Sequence, residues 1–255
     1  MKKVFIFIVI LLLILNADFS SAKDKKQEEK EREQIKKNKI SRMTVYTYKY
    51  KSGKPEEKSI NRNIYKYNKK GFLIEEIMFV SYEKMEYWFK YEYDINNKLC
   101  EKISLDSNSN IIDISKCYYD NNWNIINEIK SNKDGTIKEK TKYQYDSSGN
   151  IIEKITYNQS DEITYKLIYT YKNNNEITIE GTQYHSDVTF LSFESKKYNY
   201  DKKGNLINEI GFDGKDSVKI FYKYDKKDNL IEKFTDNSTV NMPNILRKYT
   251  YTYYE

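Results

Sequence analysis

The segment from Tyr143 to Ile155, YQYDSSGNIIEKI, recurs along most of this 255-residue chain and narrows the folds open to it. Versions begin at Tyr65, Tyr91, Cys117 and Tyr169 in equal steps of 26 residues, and two more start at Tyr198 and Tyr222 after a longer and a shorter step. Self-similarity at a fixed period signals an array in which each copy buries its apolar face against its neighbours.

Within a copy the pattern has period two. Tyr143 and Tyr145 alternate with Lys142 and Gln144, as the side chains of a half-buried strand must. Asp146 to Gly149 reads as a turn, with glycine where the backbone turns left-handed. Ile151 to Tyr157 is β-branched and aromatic again, a second strand. Lys133-Asp134-Gly135-Thr136 reads as a second turn, a two-residue type I′ hairpin loop. The expected fold is all-β, a repetitive antiparallel β-hairpin meander of about 15 strands from Met43 onward. Only 38% of residues are hydrophobic, with 26 tyrosines included. Globular domains average about 45–50% apolar, so a thick two-sheet sandwich is hard to fill. An elongated or spirally curled sheet suits the composition better.

A two-residue loop at Asp134-Gly135 and a four-residue loop at 146–149 set a register. Tyr143 then faces both Ile126 and Ile152, in a column formed by Tyr65, Ile74, Tyr91, Cys100, Cys117, Ile126, Tyr143, Ile152 and Tyr169. The same register sets Cys100 opposite Cys117. A disulfide between them is expected in an oxidising compartment and would add about 3 kcal/mol through loop closure.

The N-terminus has a separate logic. Lys2 and Lys3 precede an unbroken apolar run from Val4 to Leu15, and Ser20-Ser21-Ala22 supplies small residues after it. That order marks residues 1–22 as a cleaved signal peptide; the run is shorter than the roughly 17–25 residues of a membrane span. Residues 23–41 read as a charged, solvated spacer, disordered or transiently helical, and 42–255 as the repeat domain. The expected location is secreted, periplasmic or cell-surface, with no membrane span after signal cleavage.

Sites for chemistry are hard to assemble. The chain has one histidine, His185, so no nucleophile–histidine–acid set can be built. No phosphate loop, GxGxxG or zinc spacing occurs. Asp106-Ser107-Asn108-Ser109-Asn110 opens like a calcium loop but lacks its glycine at the sixth position and its acid at the twelfth. No catalytic residue, metal or cofactor is expected. The formal charge is +6, from 44 Lys+Arg and 38 Asp+Glu. The two signs alternate, so there is no phosphate-tracking stripe and no expectation of nucleic-acid binding.

The element Tyr-x-Tyr-Asp-x-x-Gly-Asn-[Leu/Ile]-Ile-x-[Glu/Lys], clearest from Tyr143 to Lys154 and from Tyr198 to Glu209, resembles the YD repeats of Rhs-type bacterial proteins. The resemblance covers about residues 44–255. It implies hairpin units winding into a spiral sheet, an exported or cell-surface location, and carbohydrate binding. The sequence has neither shell-forming length nor a core-processing signature nor a toxin domain, so toxin delivery is not implied.

Together these features lead to one expectation, a non-enzymatic exported protein that presents Tyr65, Tyr91, Tyr143, Tyr169, Tyr198 and Tyr222 as a ligand surface. The partner would be a carbohydrate or an envelope protein. The alternative is a structural or assembly component of the envelope, or an accessory to a larger Rhs-type system. It would self-associate through open sheet edges such as the tyrosine-rich end from Tyr249 to Glu255.

Overall fold

The computed structural model describes residues 22–255 except 81–83, 173–175, 184–187, 213–216 and 238–242, with backbone alone at 22–27, 172–198 and 212. The proposed signal segment up to residue 21, His185 and the side chain of Tyr198 therefore lie outside the described residues.

One helix, α1 (Ala22–Lys37), leads into strands β1 (Ile40–Lys51), β2 (Lys54–Pro55), β3 (Asn61–Tyr67), β4 (Leu73–Val80), β5 (Lys84–Tyr93) and β6 (Leu99–Leu105). Then come β7 (Ile111–Tyr119), β8 (Ile125–Ser131), β9 (Ile137–Tyr145), β10 (Ile151–Asn158), β11 (Ile163–Lys172) and β12 (Glu176–Gln183). The last five are β13 (Val188–Tyr200), β14 (Leu206–Phe212), β15 (Ser217–Tyr224), β16 (Leu230–Asp236) and β17 (Asn244–Tyr253). The fold is all-β and antiparallel, as expected, with 17 strands among the described residues.

From β3 to β17 each strand pairs with the next, and β1 pairs with β3 along one edge and with β17 along the other. The curled sheet therefore returns to its first strand. The tyrosine-rich final strand is not the free edge that the sequence suggested: Thr250 lies opposite Thr44 of β1, and Lys248 lies opposite Glu232 of β16.

The turns differ from expectation in an instructive way. Both kinds have the same geometry. Asp146 N–H donates to Asn150 C=O and Gly149 N–H to Asp146 C=O, while Asn132 and Gly135 make the matching pair of bonds in the other turn. Each loop thus has three residues, with the last in the left-handed region: Gly149 at φ 80° and Gly135 at φ 88°. Glycine reaches that region without a Cβ penalty. The first turn residue acts as a clamp. One carboxylate oxygen of Asp146 accepts from Ser148 N–H and Asn150 N–H, and the other from Asn150 Nδ2. Asp106, Asp120, Asp201 and Asp225 repeat the arrangement, which explains the Asp and Asn of the motif. The stretch at 106–110 is one of these turns.

An odd loop would turn every later side chain to the wrong face. Taking one residue of the following strand out of the ladder prevents this. Tyr145 pairs with Ile151 and Gln144 with Glu153, so Ile152 is a bulge. Cys100 and Ile126 hold the same position after their own turns. The bulge moves the register off the expected column: Tyr143 faces Lys154, not Ile152.

A single layer leaves a small core. Ile151, Leu167 and Tyr169 are buried together, with Tyr143, Tyr145, Tyr165 and Tyr171 against them. Leu167 is 1% exposed, and hiding such a side chain contributes roughly 1.5–3 kcal/mol. Next to it the hydroxyls of Thr141 and Thr156, directly opposite in the ladder, meet at 3.2 Å.

Residues 22–37, within the stretch read as a charged spacer that is disordered or transiently helical, form a helix. The segment lacks Gly and Pro and carries Glu29–Arg32 and Glu33–Lys36 pairs one turn apart, features that favour a helix. The chain leaves it through Lys39, at φ 54°.

Candidate binding surfaces

Five of the six tyrosines proposed as a ligand surface can be placed, and their hydroxyls are engaged within the sheet or its core. Tyr91 donates to Glu76 at 2.8 Å and Tyr143 to Glu128 at 3.3 Å. Tyr65 bonds with Asn63 at 3.2 Å, and burial, then the nearby Glu76 carboxylate, pushes its hydroxyl pKa up. Burial raises Tyr222 and Tyr169 as well, the first also through Glu209. Tyr169 is a core residue. The phenols of Tyr65, Tyr169 and Tyr222 therefore stay protonated at neutral pH.

The residues facing them form a pattern that spans two repeats. Across from the first residue of four successive units, Tyr65, Tyr91, Cys117 and Tyr143, stand Glu76, Lys102, Glu128 and Lys154; Tyr169 faces Ile179, and Tyr198 and Tyr222 then face Glu209 and Lys233. Tyr143 therefore has Glu128 at its hydroxyl and the Lys154 ammonium 5.4 Å from its ring centroid. Tyr91 lies between Glu76 and Lys102 in the same way, with Lys102 at 5.8 Å. A cation over a ring face adds about 0.5–1 kcal/mol at such sites. The alternation was present in the sequence, but a one-repeat comparison hides it.

The second tyrosine of four successive units is a brace. Tyr93, Tyr119, Tyr145 and Tyr171 donate to the carbonyls of Leu73, Leu99, Ile125 and Ile151, each at 2.7–2.8 Å. Tyr224 and Tyr251 do the same with Leu206 and Leu230. Burial pushes the Tyr93 hydroxyl up to about 12.

Cys100 and Cys117 are not joined in a disulfide. Glu101 pairs with Lys116, so the cysteines are the next residues outward along that ladder. Cys100, however, is a bulge residue, and its thiol donates to the Glu92 carbonyl on β5 at 3.2 Å. The expected bridge is not formed in the structure.

The face opposite the tyrosines carries ion pairs: Lys66–Glu75 at 2.6 Å, Lys116–Glu101 at 3.0 Å, Lys166–Glu153 at 2.5 Å and Lys223–Glu232 at 3.5 Å. Among the described residues no group of three His, Cys, Asp or Glu side chains could hold a metal ion.

What remains for recognition is aromatic surface that the sheet does not use. Trp123 holds the left-handed position of the turn at 120–124, at φ 62°, and is 45% exposed. The equivalent residue of the next unit is Gly149. A bulky side chain in that region is an outlier. Lys98 lies 5.3 Å from its ring and Tyr119 packs at 6.5 Å. In the neighbouring turn Ile95 is 95% exposed. Sequence reasoning missed Trp123, although the signal was visible as a tryptophan aligned with glycine.

No family model matches the chain, and no curated protein matches it by sequence. Solved structures match its fold. A porin-like protein from Bacteroides uniformis has a TM-score of 0.52 at 9% identity, covering 84% of this chain and 98% of that one. The TcdB2-TccC3 complex has a TM-score of 0.38 at 12% identity, and its match covers 75% of this chain but 14% of that one. The first likeness is one of β-rich fold alone. No helix among the described residues is long and apolar enough to cross a membrane.

Proposed function

We propose that this chain is an exported, non-enzymatic repeat scaffold of the YD type, and that it binds carbohydrate or an envelope protein through aromatic side chains standing out of its lattice. Trp123 carries the proposal. Backbone strain at a residue type that the turn does not need is a mark of function, and here it sets a large ring at a rim beside Lys98. An indole with flanking Asn121 and Asn122 suits a sugar face or a flat polar protein surface.

The ion pairs on the face away from the tyrosines support a water-facing coil. A lysine or arginine facing lipid at mid-bilayer costs about 2–4 kcal/mol, and four lysines occupy that face. Export would also place Cys100 and Cys117 where a bridge can form. An unchanged mass on reduction of the secreted protein would remove that part of the reading.

The test is a glycan array together with pull-down from cell envelopes, each with the wild type and Trp123→Gly. The proposal expects ligands that the wild type retains and the variant loses. Equal retention by both proteins, or none by either, would reject it.

A further inference from the structure

We propose that α1 is a displaceable strap across the tyrosine-lined end of the curled sheet: docked it covers that end, and released it opens the tyrosine face. The helix is wedged between turn tips. On one flank the Lys30 ammonium donates to the Gly204 carbonyl and Gln34 Nε2 to the Lys227 carbonyl. Just past the helix, Asn38 Nδ2 reaches the Lys227 carbonyl at 3.2 Å. On the other flank the Arg32 guanidinium lies 4.8 Å from the Phe72 ring centroid. Residues 30 and 32 point about 200° apart on a helix, so the two sets of turns grip it from opposite sides. The gripped face is thus concave, and it is the tyrosine face: Glu31 acts on Tyr67, Tyr224, Tyr249 and Tyr251, and Glu28 on Tyr93.

Two features make the strap releasable. Its contacts are mostly polar and exposed, so water can replace them; Ile35 is the one large apolar residue in the segment AKDKKQEEKEREQIKK. A helix of this length is also marginal alone in water, so undocking and unwinding go together. The fit is nonetheless close. A Cβ at Gly71 would lie 2.5 Å from the Arg32 carbonyl oxygen and 3.3 Å from Lys36 Cβ. At Gly149, in an equivalent turn, the nearest atom would be Asn124 Oδ1 at 4.0 Å.

That contrast supplies the experiment. Asn97 already holds the same left-handed position in the turn at 94–98, so Gly71→Asn and Gly149→Asn both suit the backbone, and only the first meets the helix. In the full chain, Gly71→Asn is expected to raise tryptic cleavage within residues 23–37 at least tenfold. It should also raise nitration of Tyr67, Tyr249 and Tyr251 by tetranitromethane several-fold, with exposed Tyr87 unchanged. Gly149→Asn should match the wild type in both. Faster cleavage with unchanged nitration would show that α1 covers nothing and overturn the strap, as would no change in either. Should Gly71→Asn fail to fold, Lys30→Ala/Gln34→Ala removes two docking bonds without touching a turn. The same rises are expected, and wild-type behaviour would refute the proposal.

Discussion

The hydroxyl of Tyr145 donates to the backbone carbonyl of Ile125 at 2.8 Å, joining the first strand of one repeat to the turn exit of the repeat before it. The bond recurs with the period of the sequence, so it is a unit-to-unit coupling. Tyr145→Phe keeps the ring and removes the donor. The expected loss is about 1 kcal/mol, or a melting temperature lower by roughly 2–4 °C. Tyr143→Phe, whose longer bond goes to a glutamate reachable by water, should cost less than half as much. Denaturant midpoints with unchanged slopes would measure both, and equal losses would refute the coupling.

The Asx clamps predict the acid response. Asp106 and Asp146 are held below the ordinary carboxylate range first by the side-chain bond from Asn110 or Asn150, and Asp201 first by the Asn205 backbone N–H. A depressed folded pKa contributes stability that is present above the unfolded value of about 3.9 and lost as pH falls through the folded one. The melting temperature should therefore stay flat from pH 7 to about 5 and fall below about 4. Asp201→Asn should make the acid fall shallower, because an amide keeps the Oδ1 acceptor for the Lys203 and Asn205 N–H groups without the titration, giving up only the bond from Asn205 Nδ2. An equally steep fall in the variant would assign the acid response to other groups.

Much of the architecture was legible because alternation at period two survives in the copies: Tyr143 and Tyr145 share a face as expected, and each strand from β3 on pairs antiparallel with the next. The turn type was not. A three-residue loop plus a bulge at Ile152 leaves the same parity as an even loop with none, so the side-chain pattern cannot distinguish them. The helix is legible in the sequence only as a transient one, for a different reason. Its polarity argues against a core contact, and it makes its contacts instead with backbone carbonyls of turns distant in sequence.

The parity argument can be tested by deletion. Removing Ile152 alone closes the bulge and leaves Glu153 opposite Gln144 and Lys154 opposite Tyr143, so cooperative unfolding and strand content by circular dichroism should survive. Removing Glu153 as well sets Lys154 opposite Gln144 and Ile155 opposite Tyr143, which exchanges the two faces of the strand, and the soluble, folded fraction should fall. A double deletion that folds like the wild type would mean that this pairing does not set the register.

Trp123 separates strain from packing. In the left-handed region an ordinary residue costs about 1–2 kcal/mol that glycine avoids. The ring returns part of this through Tyr119 and Lys98, contacts worth about 0.5–1 kcal/mol each at an exposed rim. Trp123→Gly should therefore leave stability within about 1 kcal/mol of the wild type, in either direction, while ligand retention falls. A residue kept for packing would behave in the opposite way, with a loss of several kcal/mol and unchanged binding. Thermal unfolding measured beside the array and pull-down decides between them, since the fold can tolerate the loss of this ring only if the ring serves something outside it.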